Sequence, residues 1–279
     1  MQTAFLMALM TALLMLIGQF FGGMQGMTVM LFVGMAMNIY AYWNSDKMVL
    51  AHYDAQEVDR NSAPGLYAMV EGLAKKANLP MPKVYIIHSD VPNAFATGRD
   101  PEHAAVAVNT ALADMLTRDE LEGVLAHEMS HVKNRDILTS TIAACMANAI
   151  STLAQWGMFL GGGRDEEGES RNPIASILVM LLAPLAAMVI QMAVSRSREY
   201  VADKDGGALC GNPNALADAL LKIQAYANHR VMPNATEATA HMFIVNPFSG
   251  ANLKNLFSTH PSTEERVQLL RQQAREMGK

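Results

Sequence analysis

His127, Glu128 and His131 form an H-E-x-x-H pattern and are the residues in this chain whose types and spacing best suit chemistry. Thr117 and Glu120 precede them at the spacing of a capping box, which predicts that a helix begins at this point. Residues four apart share one face of a helix, so both imidazoles can bind one Zn²⁺ while Glu128 flanks a metal-bound water. The pattern alone also fits two surface histidines beside a solvated glutamate.

A third ligand is needed because catalytic zinc usually has three protein ligands and one open position. The residues after His131 do not continue as they do in metzincins, so the third ligand must lie elsewhere in the chain. Glu199 and Asp203 are four residues apart. On one helix, Glu199 could bind the metal while Asp203 accepts the second N–H of a ligand imidazole. The alternative is an ion pair between Glu199 and Arg196 or Arg198.

Local residue patterns predict the helices and strands that must position these residues. Residues 65–77 have helical periodicity and end shortly before Pro80, which cannot continue a helix. Short runs rich in β-branched and small residues predict three strands, at 83–87, 93–98 and 104–108. Together with the H-E-x-x-H helix, these elements predict an α+β fold that is mainly α.

Charged residues are scarce and unevenly distributed along the 279 residues. They make up 17% of the chain, against roughly a quarter in typical soluble domains. Three blocks contain no Asp, Glu, Lys or Arg: residues 1–45, 137–163 and 172–195. This distribution excludes an ordinary cytosolic enzyme. Roughly 180 residues remain outside the blocks, which is enough for one compact domain.

Four apolar runs predict four transmembrane helices, at residues 3–21, 27–43, 137–160 and 173–194. Gly22, Gly23 and Gly26 are expected to form the turn between the first two. A secretory signal peptide is the competing interpretation of the first run. That run lacks a preceding basic segment and a second run follows at once, so a membrane hairpin is favoured.

The chain therefore divides into four predicted parts. They are a transmembrane hairpin (1–45), the first half of a catalytic domain (46–136), a second hairpin (137–195) and the second half of that domain (196–279). Residues 44–136 hold nine Lys or Arg and residues 196–279 hold ten, against two in the loop 161–173. The positive-inside rule places both polar segments in the cytoplasm, where they can meet as one domain.

A nucleic-acid partner is not expected. The net charge is −5 and no run of Lys or Arg is present, so the sequence lacks the basic surface that such partners require. Cys145 and Cys210 are the two cysteines and do not indicate a disulfide framework.

Taken together, these features resemble the HtpX-type membrane zinc metalloproteases, relatives of the CAAX prenyl proteases with a gluzincin-like H-E-x-x-H site. The resemblance rests on the four spans, on HEMSH before the third span and on SREYVAD after the fourth. It also rests on THPSTEER at residues 259–266, and it covers essentially the whole chain. It implies a zincin-like domain and one Zn²⁺ per subunit on His127, His131 and Glu199. Glu128 would be the general base, and Asp203 would support a ligand.

The resemblance also implies a substrate edge, formed by Asn93, Ala94, Phe95 and Ala96. An extended peptide would lie along this strand through backbone hydrogen bonds. His260 and Arg266 would stand near the metal, with His260 donating to the developing oxyanion and Arg266 orienting His260. A turn role before Pro261 is the alternative for His260.

The implied function is hydrolysis of misfolded or damaged membrane proteins at the cytoplasmic face of the bacterial inner membrane, as part of stress response and protein quality control. Two alternatives remain. A site-2-type intramembrane protease would bury the H-E-x-x-H helix in lipid, where its flanking charges would be costly. A membrane scaffold or transporter with a structural zinc would need a fourth protein ligand to close the site. In the enzyme, His241 could act as a fourth ligand that holds it latent.

Overall fold

The computed structural model describes residues 2–146, 196–229, 243–245 and 261–279. Most of the predicted third span, the whole fourth span, His241 and His260 lie outside these residues. The helices are α1 (Gln2–His52), α2 (Pro64–Ala77), α3 (Thr110–Met115), α4 (Arg118–Lys133), α5 (Ile137–Met146), α6 (Arg196–Cys210), α7 (Pro213–His229) and α8 (Thr263–Glu276). The strands are β1 (Gln56–Val58), β2 (Lys83–Ile87), β3 (Ala94–Gly98) and β4 (Ala104–Asn109). The described residues form a mainly helical α+β fold with a small sheet, as predicted.

α1 is a helical hairpin. Gly22 and Gly23 leave the helical conformation, and Gly23 has a φ of 57°, which glycine adopts without strain. The predicted turn is therefore confirmed at these two residues, whereas Gly26 already belongs to the second helical arm. Within the described part of the chain, two arms are long and apolar enough to cross a membrane, Thr3–Phe20 and Gly22–His52.

Small and polar residues hold the two arms of α1 together. Gly18 and Gly26 lie at a point where a Cβ on either residue would collide with the backbone carbonyl of the other. Asn38 Nδ2 donates to the carbonyl oxygen of Met7 at 2.9 Å and to Thr11 Oγ1 at 2.8 Å. Close backbone approach and side-chain hydrogen bonds are typical of helix pairs in membranes.

The sheet has the strand order β1-β2-β4-β3. β2 and β4 are parallel, and the other two neighbouring pairs are antiparallel. All six residues of β4 are buried, in agreement with its interior position. Among the described residues β3 is an edge strand, and the side of its backbone away from β4 faces α4.

α4 lies between the sheet and the helices α6 and α7. Its buried residues Val124, Leu125 and Met129 pack in the main core, which also contains Val106 and Val108 of β4. The predicted capping box begins the helix, because Thr117 N donates to Glu120 Oε2 at 2.8 Å and Glu120 N donates back to Thr117 Oγ1 at 3.4 Å.

A glycine lets α6 approach α4 at the H-E-x-x-H motif. A Cβ on Gly206 of α6 would stand 2.8 Å from the Cα of His127. No larger residue fits there without moving one of the helices. This close approach places the start of α6, with Glu199 and Asp203, against the histidines of α4.

The sheet also contacts the apolar helices directly. Val49 and Leu50 near the end of α1 pack against Phe95 of β3 in one buried cluster. Thr3 and Thr139 lie 3.0 Å apart through their hydroxyl oxygens, and thereby link α1 to α5. The α1 hairpin therefore packs onto the strand that borders the H-E-x-x-H helix.

Candidate metal centre

His127 and His131 project from the same face of α4, as their spacing predicts. Their Nε2 atoms lie 3.2 Å apart. The side chain of His127 is 2% exposed and that of His131 is 16% exposed. Both imidazoles therefore present Nε2 to one sheltered point.

Glu199 brings a carboxylate from α6 to the same point. Its Oε2 lies 3.7 Å from His127 Nε2, and its Oε1 lies 3.6 Å from His131 Nε2. Tetrahedral zinc with bonds of about 2.0–2.1 Å places neighbouring ligand atoms about 3.3–3.4 Å apart. The two histidine nitrogens match that spacing. Glu199 meets each histidine with a different oxygen, and one ligand atom from each of the three residues lies within 4.8 Å of the others, so a small side-chain adjustment would bring this donor set onto one zinc ion.

Electrostatics at the three side chains favour a cation. Burial alone would lower the pKa of His131, but its contact with Asp136 and the charges of Glu199 and Glu128 raise that pKa to about 9. Carboxylates thus surround the two imidazoles on several sides. A divalent cation would satisfy these negative charges together.

Asp203 lies behind His127, on the side away from Glu199. Its Oδ1 is 2.9 Å from His127 Nδ1. Carboxylates in this position fix the ring orientation and the tautomer of metal-binding histidines. Asp203 therefore lies within reach of the second ring nitrogen of His127, and its supporting role stays a prediction.

Arg266 is 1% exposed and holds Asp203 from the opposite side. Its Nε donates to Asp203 Oδ2 and its Nη2 to Asp203 Oδ1, both at 2.7 Å. Burial alone would raise the pKa of the Asp203 carboxyl, but the charge and hydrogen bonds of Arg266 hold that pKa well below its ordinary value. Arg266 therefore lies near the candidate ligands, and in the described residues its contacts are with Asp203, Glu199 and the carbonyl of Ile244.

Glu128 lies between the two histidines and is 6% exposed. Its Oε2 accepts a hydrogen bond from the backbone N–H of Ala96 at 2.9 Å. Burial raises the pKa of the Glu128 carboxyl, and the charges of His127 and His131 offset part of that rise. The edge strand β3 therefore fixes the side chain of the predicted general base.

The four residues predicted to bind substrate occupy different positions around the candidate metal centre. Phe95 and Ala96 line the cavity at the histidines, whereas Ala94 packs in the main core. Asn93 is buried, and its Oδ1 accepts a hydrogen bond from Ile244 N at 3.3 Å. Phe95 and Ala96 thus border the cavity, and Asn93 supports its opposite wall.

The cavity has a volume of about 60 Å³. Its polar residues are His127, Glu128, His131, Ser140 and Glu199, and its other lining residues are Phe95, Ala96, Ile137, Phe243 and Ile244. The apolar residues form a wall around the polar group. Such a cavity can hold an apolar side chain next to a polar reaction centre.

Two features of this site were not predicted from the sequence, the segment 243–245 and Asp136. The segment 243–245 forms one wall and is held through its backbone, which leaves no signal in side-chain patterns. Asp136 contacts His131 Nδ1 through its Oδ2 at 3.4 Å. Its position five residues after His131 was a usable signal, because a turn at the end of α4 would return it to the histidine.

The chain matches the profile of a known peptidase family and is similar in sequence to proteins named as proteases. Residues 61–274 match the profile of Peptidase family M48. A "Protease HtpX homolog" of Paraburkholderia phytofirmans is 56% identical over 276 residues, covering 98% of this chain and 96% of that protein. Another, of Methylibium petroleiphilum, is 59% identical over 269 residues, covering 96% of this chain and 95% of that protein.

A solved structure is also similar to the chain. Ste24p of S. mikatae superimposes with a TM-score of 0.49 at 20% sequence identity. The match covers 87% of this chain, which spans 57% of the length of that protein.

Proposed function

The chain belongs to peptidase family M48, and from this premise we propose that it is a zinc endopeptidase whose metal is held by His127, His131 and Glu199. It is a membrane metalloprotease, a hydrolase that acts on polypeptides. The convergence of two imidazoles and one carboxylate from two helices, with one ligand atom of each residue within 4.8 Å of the others, is the observation that carries the choice of ligands. We propose one Zn²⁺ per subunit, because the part of the chain that the structure describes holds one such group.

Zinc bound here would polarise the scissile carbonyl and lower the pKa of a water molecule. Glu128 takes a proton from the attacking water and returns it to the leaving amine, so the peptide bond is replaced by a carboxylate and an amine. Its Oε2 is fixed by Ala96 N–H, which leaves Oε1 to carry the proton. His260 as a donor to the oxyanion stays a prediction.

β3 and the wall opposite it supply the proposed substrate cleft. Ala96 N–H points to Glu128 and Gly98 N–H points to Thr141 Oγ1, so alternate residues of β3 turn their backbone away from β4. Because these two donors are engaged, we propose that an extended peptide pairs with the outward carbonyl of Ala96. Because such pairing uses only the peptide backbone, the protein would accept substrates with many different sequences around the cleavage site.

The apolar residues that line the cavity indicate which substrate side chains it would bind. Phe95, Ile137, Phe243 and Ile244 would favour an apolar side chain beside the scissile bond. Such side chains are mostly buried in folded proteins. Substrates would therefore be unfolded segments of misfolded or damaged membrane proteins, in line with a role in quality control.

The alternative functions are less well supported. An intramembrane protease would expose α4 to lipid, whereas Glu120 of α4 pairs with Lys222 of α7 at 2.7 Å, and sheet and helices cover its other faces. A scaffold with structural zinc needs four protein ligands. In the described ranges the candidate group has three, the number typical of catalytic zinc.

We propose that the protein crosses the bacterial inner membrane four times with both polar segments in the cytoplasm. The two arms of α1 are candidate spans. Contacts of α4 with α6 support one domain built from residues 46–136 and 196–279. Both segments must lie on one side, because His131 and Glu199 approach the same point.

Cysteine labelling in intact cells should show this topology. In a background with Cys145→Ala and Cys210→Ala, a probe at Glu167→Cys should react with a membrane-impermeant reagent, while probes at Lys76→Cys and Gln272→Cys should be protected. The reverse pattern would invert the topology. Opposite outcomes at Lys76 and Gln272 would contradict the shared metal site.

Glu199→Ala should remove most of the zinc, because the third ligand atom is lost while both imidazoles remain. Metal content of the purified full chain, measured under competition with a chelator, tests this. Glu102→Ala, at an exposed position in the turn before β4, is the control and should retain zinc. Full occupancy in Glu199→Ala would mean that another residue is the third ligand.

A further inference from the structure

Asp136 follows α4 in a tight turn. Arg135 has a φ of 59°, in the left-handed region, which reverses the chain just after the helix ends. Asp136 N then donates to the carbonyl oxygen of His131 at 3.0 Å. This backbone contact holds Asp136 beside the second histidine, and its Oδ2 reaches His131 Nδ1 at 3.4 Å.

Arg198 approaches Asp136 from α6. Its Nη1 lies 3.8 Å from Asp136 Oδ1, and both side chains are mostly buried, at 19% and 16% exposed. Arg198 directly precedes Glu199 in the chain. The ion pair therefore connects the end of the H-E-x-x-H helix to the residue beside the third candidate ligand.

The two histidines thus have parallel surroundings. Each presents Nε2 to the candidate metal position and Nδ1 to a carboxylate, and each carboxylate contacts an arginine from another element. For His127 these partners are Asp203 and Arg266. Asp136 and Arg198 are the partners of His131, on the side next to α5.

Asp136 also directly precedes the apolar helix α5, at its N-cap position. Its carbonyl oxygen accepts a hydrogen bond from Ser140 N at 3.4 Å, which is the first hydrogen bond of that helix. One residue therefore contacts the histidine ring, pairs with α6 and starts the helix that packs on the membrane hairpin. A shift of α5 would move the carboxylate relative to His131.

We propose that Asp136 is a positioning residue that fixes the ring of His131 for metal binding, and that Arg198 holds Asp136 in place. The inference rests on the proposed zinc site. Asp136 contacts Nδ1 of His131, whereas Nε2 of that ring faces His127, so Asp136 would act on a bound metal only through the imidazole. It restricts the rotation of His131, so that Nε2 points to the position shared with His127 and Glu199.

The test is zinc affinity of the full-length protein in detergent, measured by competition with a chromophoric chelator. Asp136→Asn should weaken binding about 10- to 100-fold, the usual effect of losing a partner of a ligand histidine. Arg198→Gln should weaken it less. Asp205→Asn is the matched control, because Asp205 joins α6 to Asn134 at 3.1 Å in the same junction without touching His131.

Two further measurements separate positioning from general structure. The visible spectrum of the Co²⁺-substituted protein should change in Asp136→Asn and not in Asp205→Asn, since only the first alters the geometry of a ligand. The double variant Asp136→Asn/Arg198→Gln should bind zinc no more weakly than Asp136→Asn alone, because Arg198 acts through Asp136.

Wild-type affinity and an unchanged Co²⁺ spectrum in Asp136→Asn would overturn the role of Asp136. Additive losses in the double variant would overturn the role of Arg198. If Asp136→Asn folds poorly, Asp136→Glu keeps the charge and should recover most of the affinity; failure to recover contradicts positioning. A wild-type protein that binds no zinc would instead refute the proposed function.

Discussion

Glu128→Gln should lower peptide hydrolysis by about 10²- to 10⁴-fold, the range that general acid–base catalysis contributes, while zinc stays bound. Glutamine keeps the size and can still accept the hydrogen bond from Ala96 N–H through its amide oxygen. It cannot accept a proton from water at neutral pH. The measurement is the degradation rate of casein by purified protein, with metal content determined on the same sample.

The matched control is Glu122→Gln on the same helix, where the side chain pairs with Lys76 at 3.2 Å and does not line the cavity. It should hydrolyse casein at the wild-type rate. Near wild-type hydrolysis in Glu128→Gln would end the proposed mechanism. Loss of zinc from Glu128→Gln would instead place Glu128 among the ligands.

Local patterns were sufficient to predict the elements that carry this site. The capping box at Thr117 and Glu120 predicted the start of α4, and the structure confirms both of its hydrogen bonds. β2 was predicted at the residues where it occurs, and β3 and β4 within one residue at an end. These features depend on residues close in the chain, so their physical causes are visible in the sequence.

Helical spacing also predicted which side chains share a face. The pairs His127 with His131 and Glu199 with Asp203 are each four residues apart, and each pair lies on one face of its helix. The sequence could not show that α6 would cross α4 with Glu199 beside both histidines. That contact depends on Gly206, whose lack of a side chain permits the approach.

Contacts made through backbone atoms or distant residues were harder to predict. Arg266 was expected near the metal on the basis of the resemblance, but its bidentate contact with Asp203 joins residues 63 positions apart. Ile244 participates through its N–H and carbonyl groups, which every residue has. Asp136 depends on the left-handed turn at Arg135, for which arginine is not a typical residue.

Arg266→Ala should lower the free energy of unfolding by about 3–5 kcal/mol, because removal of one partner leaves a buried carboxylate without its counter-charge. Asp203 is almost fully buried, and both of its oxygens accept from Arg266. The carbonyl of Ile244 would also lose its donor. Urea unfolding of the full chain in detergent, followed by circular dichroism, measures the change.

Arg271→Ala on the same helix separates this effect from a general loss of charge. Arg271 is 35% exposed, pairs with Asp218 and donates to Asn214 Oδ1 at 2.8 Å. Partly exposed ion pairs and single hydrogen bonds each contribute about 1 kcal/mol or less, so its replacement should lower the free energy of unfolding much less than Arg266→Ala does. Adding Asp203→Asn to Arg266→Ala removes the buried charge and should recover part of the stability, because the two residues form one unit. Equal stability of Arg266→Ala and Arg271→Ala would show that the buried pair does not hold α8 against α6. In that case Asp203 would have to be fixed beside His127 by the packing of α6 alone, with Gly206 rather than Arg266 determining its position.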